Sequence, residues 1–212
     1  MEKVHVLLLF ICMALVGQSS VSAQSMKAKQ ALLIIDIQND YFEGGANPLV
    51  GSLEASLNAQ KILNAFREKS LLVIHIKHIS SRSGSTFFIP NTRGAEIHHN
   101  VAPLNNESVI IKNYPNSFRD TKLLEVLKAN NITDLVICGM MTHMCVDATV
   151  RAAKDLGFNS TIISDACATK NLEIQGQNVT AQNVQKSFLA ALSYYYSTIQ
   201  DTNKYLLKLC KM

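Results

Sequence analysis

The sequence predicts an α/β domain, a three-layer α/β/α sandwich built on a doubly wound, mostly parallel sheet of about six strands. Two observations carry this expectation. Short continuous apolar runs of strand length alternate with longer segments whose apolar residues recur at helical spacing. The short runs are apolar at successive positions, the pattern of strands covered on both faces by helices.

In chain order, Ala31 to Ile35 reads as the first strand, and Ser52 to Lys69 as a helix with Ala59, Ile62, Leu63 and Phe66 on its inner face. Leu71 to Ile76 and Val109 to Ile111 follow as strands. Thr121 to Ala129 is a helix carrying Leu123, Leu124 and Leu127, and Asp134 to Cys138 is the next strand. Residues after Thr142 through Leu156 form a helix with Val146, Thr149, Val150 and Ala153 inward, stopped by Gly157. Ser160 to Ile163 is a strand, Ala181 to Leu192 a helix, and Tyr195 to Ile199 a last strand before a short terminal helix. Ser80 to Ser108 breaks the rhythm: it has no period and holds Gly84, Pro90, Gly94 and Pro103. A loop of that length is functional or disordered. Phe87, Phe88, Ile89 and the His98-His99 pair favour a segment packed over the site or against a neighbouring subunit.

The first residues stand apart from the fold. Lys3, the apolar run Val6 to Gly17 and the polar Gln18-Ser19-Ser20 have the layout of a secretory signal peptide over residues 1–23, with Val21 and Ala23 placing cleavage before Gln24. That run is too short to span a bilayer comfortably, and Cys12 lacks a lipoprotein context. The expected protein is therefore secreted or periplasmic, with no membrane attachment after cleavage and one domain over 24–212. A formal charge of +4 from scattered basic residues gives no nucleic-acid footprint. Cys138, Cys145, Cys167 and Cys210 are too few for a disulfide scaffold; Cys138 and Cys167 end apolar runs, where a thiol acts as a small hydrophobe.

In an open parallel sheet the ligand lies beyond the carboxyl ends of the strands. Asp36 ends the first strand, Lys112 ends the third, and Cys145 stands just past the fourth at the start of a helix. Each alone has an ordinary reading as a cap or a solvated charge. Together on one edge they suit nucleophilic catalysis. A helix start favours the thiolate and Lys112 would lower the thiol pKa further, while Asp36 accepts its proton. Backbone N–H groups near Met141 and Cys145 could hold an oxyanion.

Three segments, Leu33-Ile34-Ile35-Asp36-Ile37-Gln38-Asn39-Asp40-Tyr41-Phe42, Ile111-Lys112-Asn113-Tyr114-Pro115-Asn116-Ser117-Phe118 and Ile137-Cys138-Gly139-Met140-Met141-Thr142-His143-Met144-Cys145-Val146, resemble the isochorismatase-like cysteine hydrolases in family order. The resemblance runs from about Ala31 to about Thr202, and Ser164-Asp165-Ala166-Cys167-Ala168-Thr169 matches a further family segment. It implies a catalytic triad of Asp36, Lys112 and Cys145, a non-proline cis peptide at Met140-Met141 that turns the Met141 amide toward the oxyanion, and a homo-oligomer, dimer or tetramer, whose neighbouring loops close the site. The apolar long loop and Tyr194-Tyr195-Tyr196 are consistent with association.

The departures matter as much. Nicotinamidases, a branch of the same family, place a metal-binding Asp-x-His segment and further histidines soon after the first motif, whereas Glu43 to Gly51 contains no histidine. His75 and His78 share a strand with no third ligand in view, so no metal and no cofactor are expected. The expected reaction is hydrolysis of a small-molecule amide or related C–N bond through a Cys145 thioester. A vinyl ether hydrolase needing no thiol, and a non-catalytic secreted binding protein on the same fold, remain alternatives. Candidate substrate contacts are Gln38, Phe42, His78, Arg82, Phe88, Tyr114, Phe118 and His143. Among them Arg82 suits a carboxylate, and Phe42 and Phe118 suit either an apolar moiety or the core.

Overall fold

The computed structural model describes residues 29–211; the signal peptide, its cleavage after Ala23 and Cys12 lie outside them. Six strands form one parallel sheet: β1 (Gln30–Ile35), β2 (Leu72–His78), β3 (Ser108–Lys112), β4 (Asp134–Met140), β5 (Asn159–Ala168) and β8 (Thr198–Gln200). Their order across the sheet is β3-β2-β1-β4-β5-β8, with every neighbouring pair parallel. The chain therefore winds outward one way from β1 to β3, then returns to the other side of β1 with β4. The switch in direction falls between β1 and β4, where such sheets open a crevice at their carboxyl ends.

Both faces of the sheet are covered, because its strands are apolar on both sides. Leu32, Ile34, Val73, Val136 and Cys138 pack against α1 (Ser52–Glu68) and α5 (Thr202–Cys210), meeting Ile62, Leu63, Phe66, Tyr205 and Leu209. The alternate residues Ala31, Leu33, Ile35, Leu135 and Ile137 point the other way. They meet Leu123 and Leu127 of α2 (Leu123–Ala129), Val150 and Ala153 of α3 (Asp147–Asp155) and Leu192 of α4 (Ala181–Tyr195). This is the expected three-layer α/β/α sandwich.

Several bounds differ from the sequence expectation, each for a physical reason. Tyr195 ends α4 instead of opening the last strand, and Tyr194 and Tyr195 are exposed, so their β preference has no sheet to act on. The helix expected after Thr142 begins as a single π turn, Thr142–Val146, before α3 takes over. A two-stranded hairpin, β6 (Leu172–Ile174) with β7 (Gln177–Val179), stands outside the main sheet. Its turn residues Gln175 and Gly176 both have positive φ, 52° and 75°, the geometry of a tight hairpin turn. The segment between β2 and β3 is irregular apart from 3₁₀ turns at Arg93–Ala95 and His99–Val101. Val109 and Ile111 of β3 are exposed on one face of this edge strand.

Candidate active site

Four adjacent strands deliver the polar residues to one place. Asp36 follows β1, His78 ends β2 and pairs in register with Lys112, which ends β3, and Cys145 lies five residues beyond β4. At Gly139 in β4 an added Cβ would stand 2.1 Å from the Ile35 carbonyl oxygen, and φ is +143°, so only glycine lets β4 approach β1 this closely. The Met140–Met141 peptide bond is cis. Past it, the Met141 carbonyl accepts from Met144 N at 3.1 Å and from Val146 N at 3.3 Å, the second closing the π turn that carries Cys145. Such turns concentrate at functional sites.

The three central residues are sealed: Asp36 is 0%, Lys112 1% and Cys145 3% exposed. Lys112 Nζ lies 2.7 Å from Asp36 Oδ2, 2.9 Å from His78 Nδ1 and 3.1 Å from the Tyr114 carbonyl oxygen, to which it donates. Burial works against the Lys112 charge, but Asp36 and Cys145 outweigh it and hold the ammonium above the usual lysine range. Burial, then the negative charge of Asp36, push the Cys145 thiol up, and Lys112 offsets this only in part. Here the expectation of a low-pKa thiolate is corrected: the helix start and Lys112 do not outweigh burial and Asp36. The resting group is a thiol beside a carboxylate.

Motif one also fastens the long loop. Gln38, 0% exposed, accepts from His78 N at 2.7 Å and donates to the carbonyls of His78 and Ala95, both at 2.8 Å. Its amide is thus committed to backbone. Asp40 accepts from Phe88 N at 2.6 Å and Ala46 N at 3.2 Å, and an added Cβ on Gly94 would stand 2.0 Å from Asp40 Oδ1. The loop therefore lays Phe88 into the site, 5.7 Å from the His78 ring and 4.6 Å from the Tyr41 ring. Tyr41 is buried; burial first, then the acidic groups of Cys145, Asp36 and Asp40 nearby, hold its phenol above the usual range and keep it a donor. Asp40 and Tyr41 were not among the candidates, although both stand in the first motif; an aromatic and an acid after a strand read as core and cap.

The other candidates are more dispersed. Phe42 stacks on His98 with centroids 3.6 Å apart, and Phe118 stacks on Phe158 at 6.1 Å. Tyr114 lies under the Arg119 guanidinium at 3.6 Å while lending its carbonyl to Lys112. His143 Nδ1 pairs with Thr169 Oγ1 at 2.6 Å, and Arg82 is exposed on the loop. His75 is fully buried and meets Glu107 Oε2 at 2.9 Å. Cys138 and Cys167 are free and buried, Cys210 free and exposed. Asp36, His78 and Cys145 place an oxygen, a nitrogen and a sulfur within 4.8 Å of one another, ligand types that zinc accepts. The Lys112 ammonium stands against two of the three, and its charge opposes a divalent ion there.

The profile of the Isochorismatase domain matches residues 30–193. The isochorismatase family protein YddQ of Bacillus subtilis is 46% identical over 176 residues, covering 83% of this chain and 98% of its own. Streptothricin hydrolase of Streptomyces noursei is 33% identical over 143 residues, covering 68% of this chain and 51% of its own. The crystal structure of an isochorismatase hydrolase from Oleispira antarctica superposes with a TM-score of 0.82 at 43% identity, covering 86% of this chain and 98% of its own. A matched domain profile, a close full-length relative and a shared fold agree with the buried Asp36, Lys112 and Cys145 at the strand ends: the protein belongs to the isochorismatase family of hydrolases.

Proposed function

We propose that the protein hydrolyses an amide or related C–N bond of a small molecule through a Cys145 thioester. The observation that carries this reading is the buried Asp36–Lys112 ion pair set against the buried Cys145 thiol, a base and a fixed positive charge beside a nucleophile. The Asp36 carboxylate takes the thiol proton as Sγ attacks the carbonyl carbon, and Lys112 stabilises the sulfur's developing charge. The oxyanion is held by the Met141 and Cys145 backbone N–H groups. Collapse breaks the C–N bond, and the departing nitrogen takes the proton from Asp36. Water, deprotonated by Asp36, then attacks the thioester, releasing the acid and returning the proton to sulfur.

Because the thiol is nearly inaccessible and protonated at rest, it is activated only as substrate arrives. This also protects it from oxidation in an oxidising compartment. Similarity to a streptothricin hydrolase supports a small-molecule substrate. The test is a hydrolysis screen over small amides, ureides and lactams, read as ammonia or amine release, with Cys145→Ala as control. Activity retained by purified Cys145→Ala would sink the proposal.

A further inference from the structure

We propose that His78 is the positioning residue for Lys112, accepting one of the three ammonium protons at Nδ1 and so fixing both where the Lys112 charge stands and which ring nitrogen is left for a ligand. The inference rests on the reading of Cys145 as nucleophile only in what Lys112 is for; the contact itself stands on geometry. An ammonium carries three N–H bonds, and Lys112 has three nitrogen or oxygen partners, Asp36 Oδ2 at 2.7 Å, His78 Nδ1 at 2.9 Å and the Tyr114 carbonyl at 3.1 Å, with the Cys145 thiol beside them. These partners are not equivalent. Tyr114 is two residues along the same chain segment and moves with Lys112. Asp36 takes up a proton during the proposed reaction, and its hold on Lys112 weakens while it carries one. His78 comes from a separate strand and stays neutral throughout, so it is the partner outside Lys112's own segment that holds the ammonium during the half of the cycle when Asp36 is neutral.

The imidazole is itself braced. Gln38 clamps the backbone N and O of His78 from both sides, and the Phe88 ring lies 5.7 Å from the imidazole. Burial, then the positive charge of Lys112, push His78 below the usual histidine range, with Asp36 opposing. A neutral ring with Nδ1 taken as acceptor must carry its proton on Nε2. That nitrogen has no hydrogen bond to a described residue, and His78 itself is only partly buried. It is an accessible N–H donor at the edge of the triad, matched to a carbonyl or carboxylate oxygen of the ligand.

Two measurements on the full-length protein test this. In the wild type, ¹⁵N shifts of the His78 ring, identified by their loss in His78→Gln, should show Nδ1 without a proton and Nε2 with one; a protonated Nδ1 would overturn the proposal whatever any variant does. The second uses iodoacetamide at about pH 8, with alkylation of Cys145 followed by mass spectrometry. Lys112 favours the thiolate, so loosening it slows labelling. His78→Leu should react at least about tenfold more slowly, a thiol pKa higher by about one unit. His78→Gln, which keeps an acceptor oxygen, should stay within about threefold of wild type. A His78→Leu variant labelled at the wild-type rate would equally overturn it. Should purified Cys145→Ala keep its hydrolytic activity, the nucleophile reading falls, and the ring tautomer still decides the role of His78.

Discussion

Lys112 Nζ stands 2.7 Å from Asp36 Oδ2 with both side chains closed to solvent, and apart from Lys112 and the Cys145 thiol no described residue donates to either Asp36 oxygen. The pair is held by charge, and each member depends on the other unequally. Lys112→Met strands a buried carboxylate with no donor and should cost about 3–5 kcal/mol in urea unfolding. Asp36→Asn should cost less, because Lys112 keeps His78 Nδ1 and the Tyr114 carbonyl. The double variant should recover part of the Lys112→Met loss; equal or larger loss in the double variant would contradict a charge-held pair.

Cys145→Ala and Cys145→Ser should abolish turnover while leaving the fold intact. The thiol is a small member of the apolar cluster that also holds Val146 and Ile137, so the unfolding free energy should move by no more than about 1 kcal/mol. Serine keeps the shape but not the acidity, and Asp36 cannot take a hydroxyl proton as readily. Circular dichroism and a turnover assay on the same samples separate lost chemistry from lost fold.

The raised thiol pKa gives a prediction of its own. Burial and Asp36 hold Cys145 protonated, so the thiolate fraction is small at neutral pH and grows about tenfold per pH unit up to the folded pKa. Alkylation of Cys145 by iodoacetamide should therefore climb through neutral and mildly alkaline pH. A plateau already reached near pH 7 would mean a resting thiolate and would refute the assignment of a neutral thiol.

Much of this site was legible because a buried parallel strand is an unbroken apolar run, and the residue that ends it is set at the ligand edge. Asp36 and Lys112 stop such runs, and Cys145 follows one across a turn. What was not legible depends on contacts made across the chain. The thiol pKa is decided by how deeply Cys145 is buried and by how near Asp36 lies, neither of which its place at a helix start reveals. His78 shows its link to Lys112 only once β2 and β3 are in register. Tyr195 reads as strand from its ring, but it sits at the exposed end of α4. The hairpin of β6 and β7 escaped notice because three-residue strands carry no period and Gln175-Gly176 is a weak turn signal.

The loop over the site hangs on Asp40. Its carboxylate holds the Phe88 amide and fits against Gly94 so closely that a methyl there would fall 2.0 Å from Oδ1. Gly94→Ala should displace the carboxylate, cost about 1–3 kcal/mol and speed hydrogen exchange at the Phe88 amide. Asp40→Ala should have the same effect on exchange by removing the acceptor. Unchanged protection at Phe88 in both would show that the loop is held by its aromatic packing alone.

At the far end of the same loop, Glu107 ties β2, α1 and the loop together, and it should make the fold acid-sensitive. It accepts from Arg67 at 2.7 and 2.8 Å and from Leu104 N at 2.9 Å, and it meets His75 Nε2 at 2.9 Å. Burial works to raise its pKa, but Arg67, the Leu104 amide and His75 outweigh burial and hold it at about 2. A carboxyl depressed in the folded state stabilises fully above its unfolded value, and that contribution is lost as pH falls from about 4.5 to about 2. Buried His75, lowered by desolvation first, adds to the same trend, since the unfolded chain takes up its proton sooner. Glu107→Gln should therefore cost about 1–3 kcal/mol at pH 7, and the gap to wild type should close as both are titrated down toward pH 2. Urea unfolding at stepped pH reads this directly; a gap that stays constant over that range would show that the carboxylate charge contributes nothing to the fold.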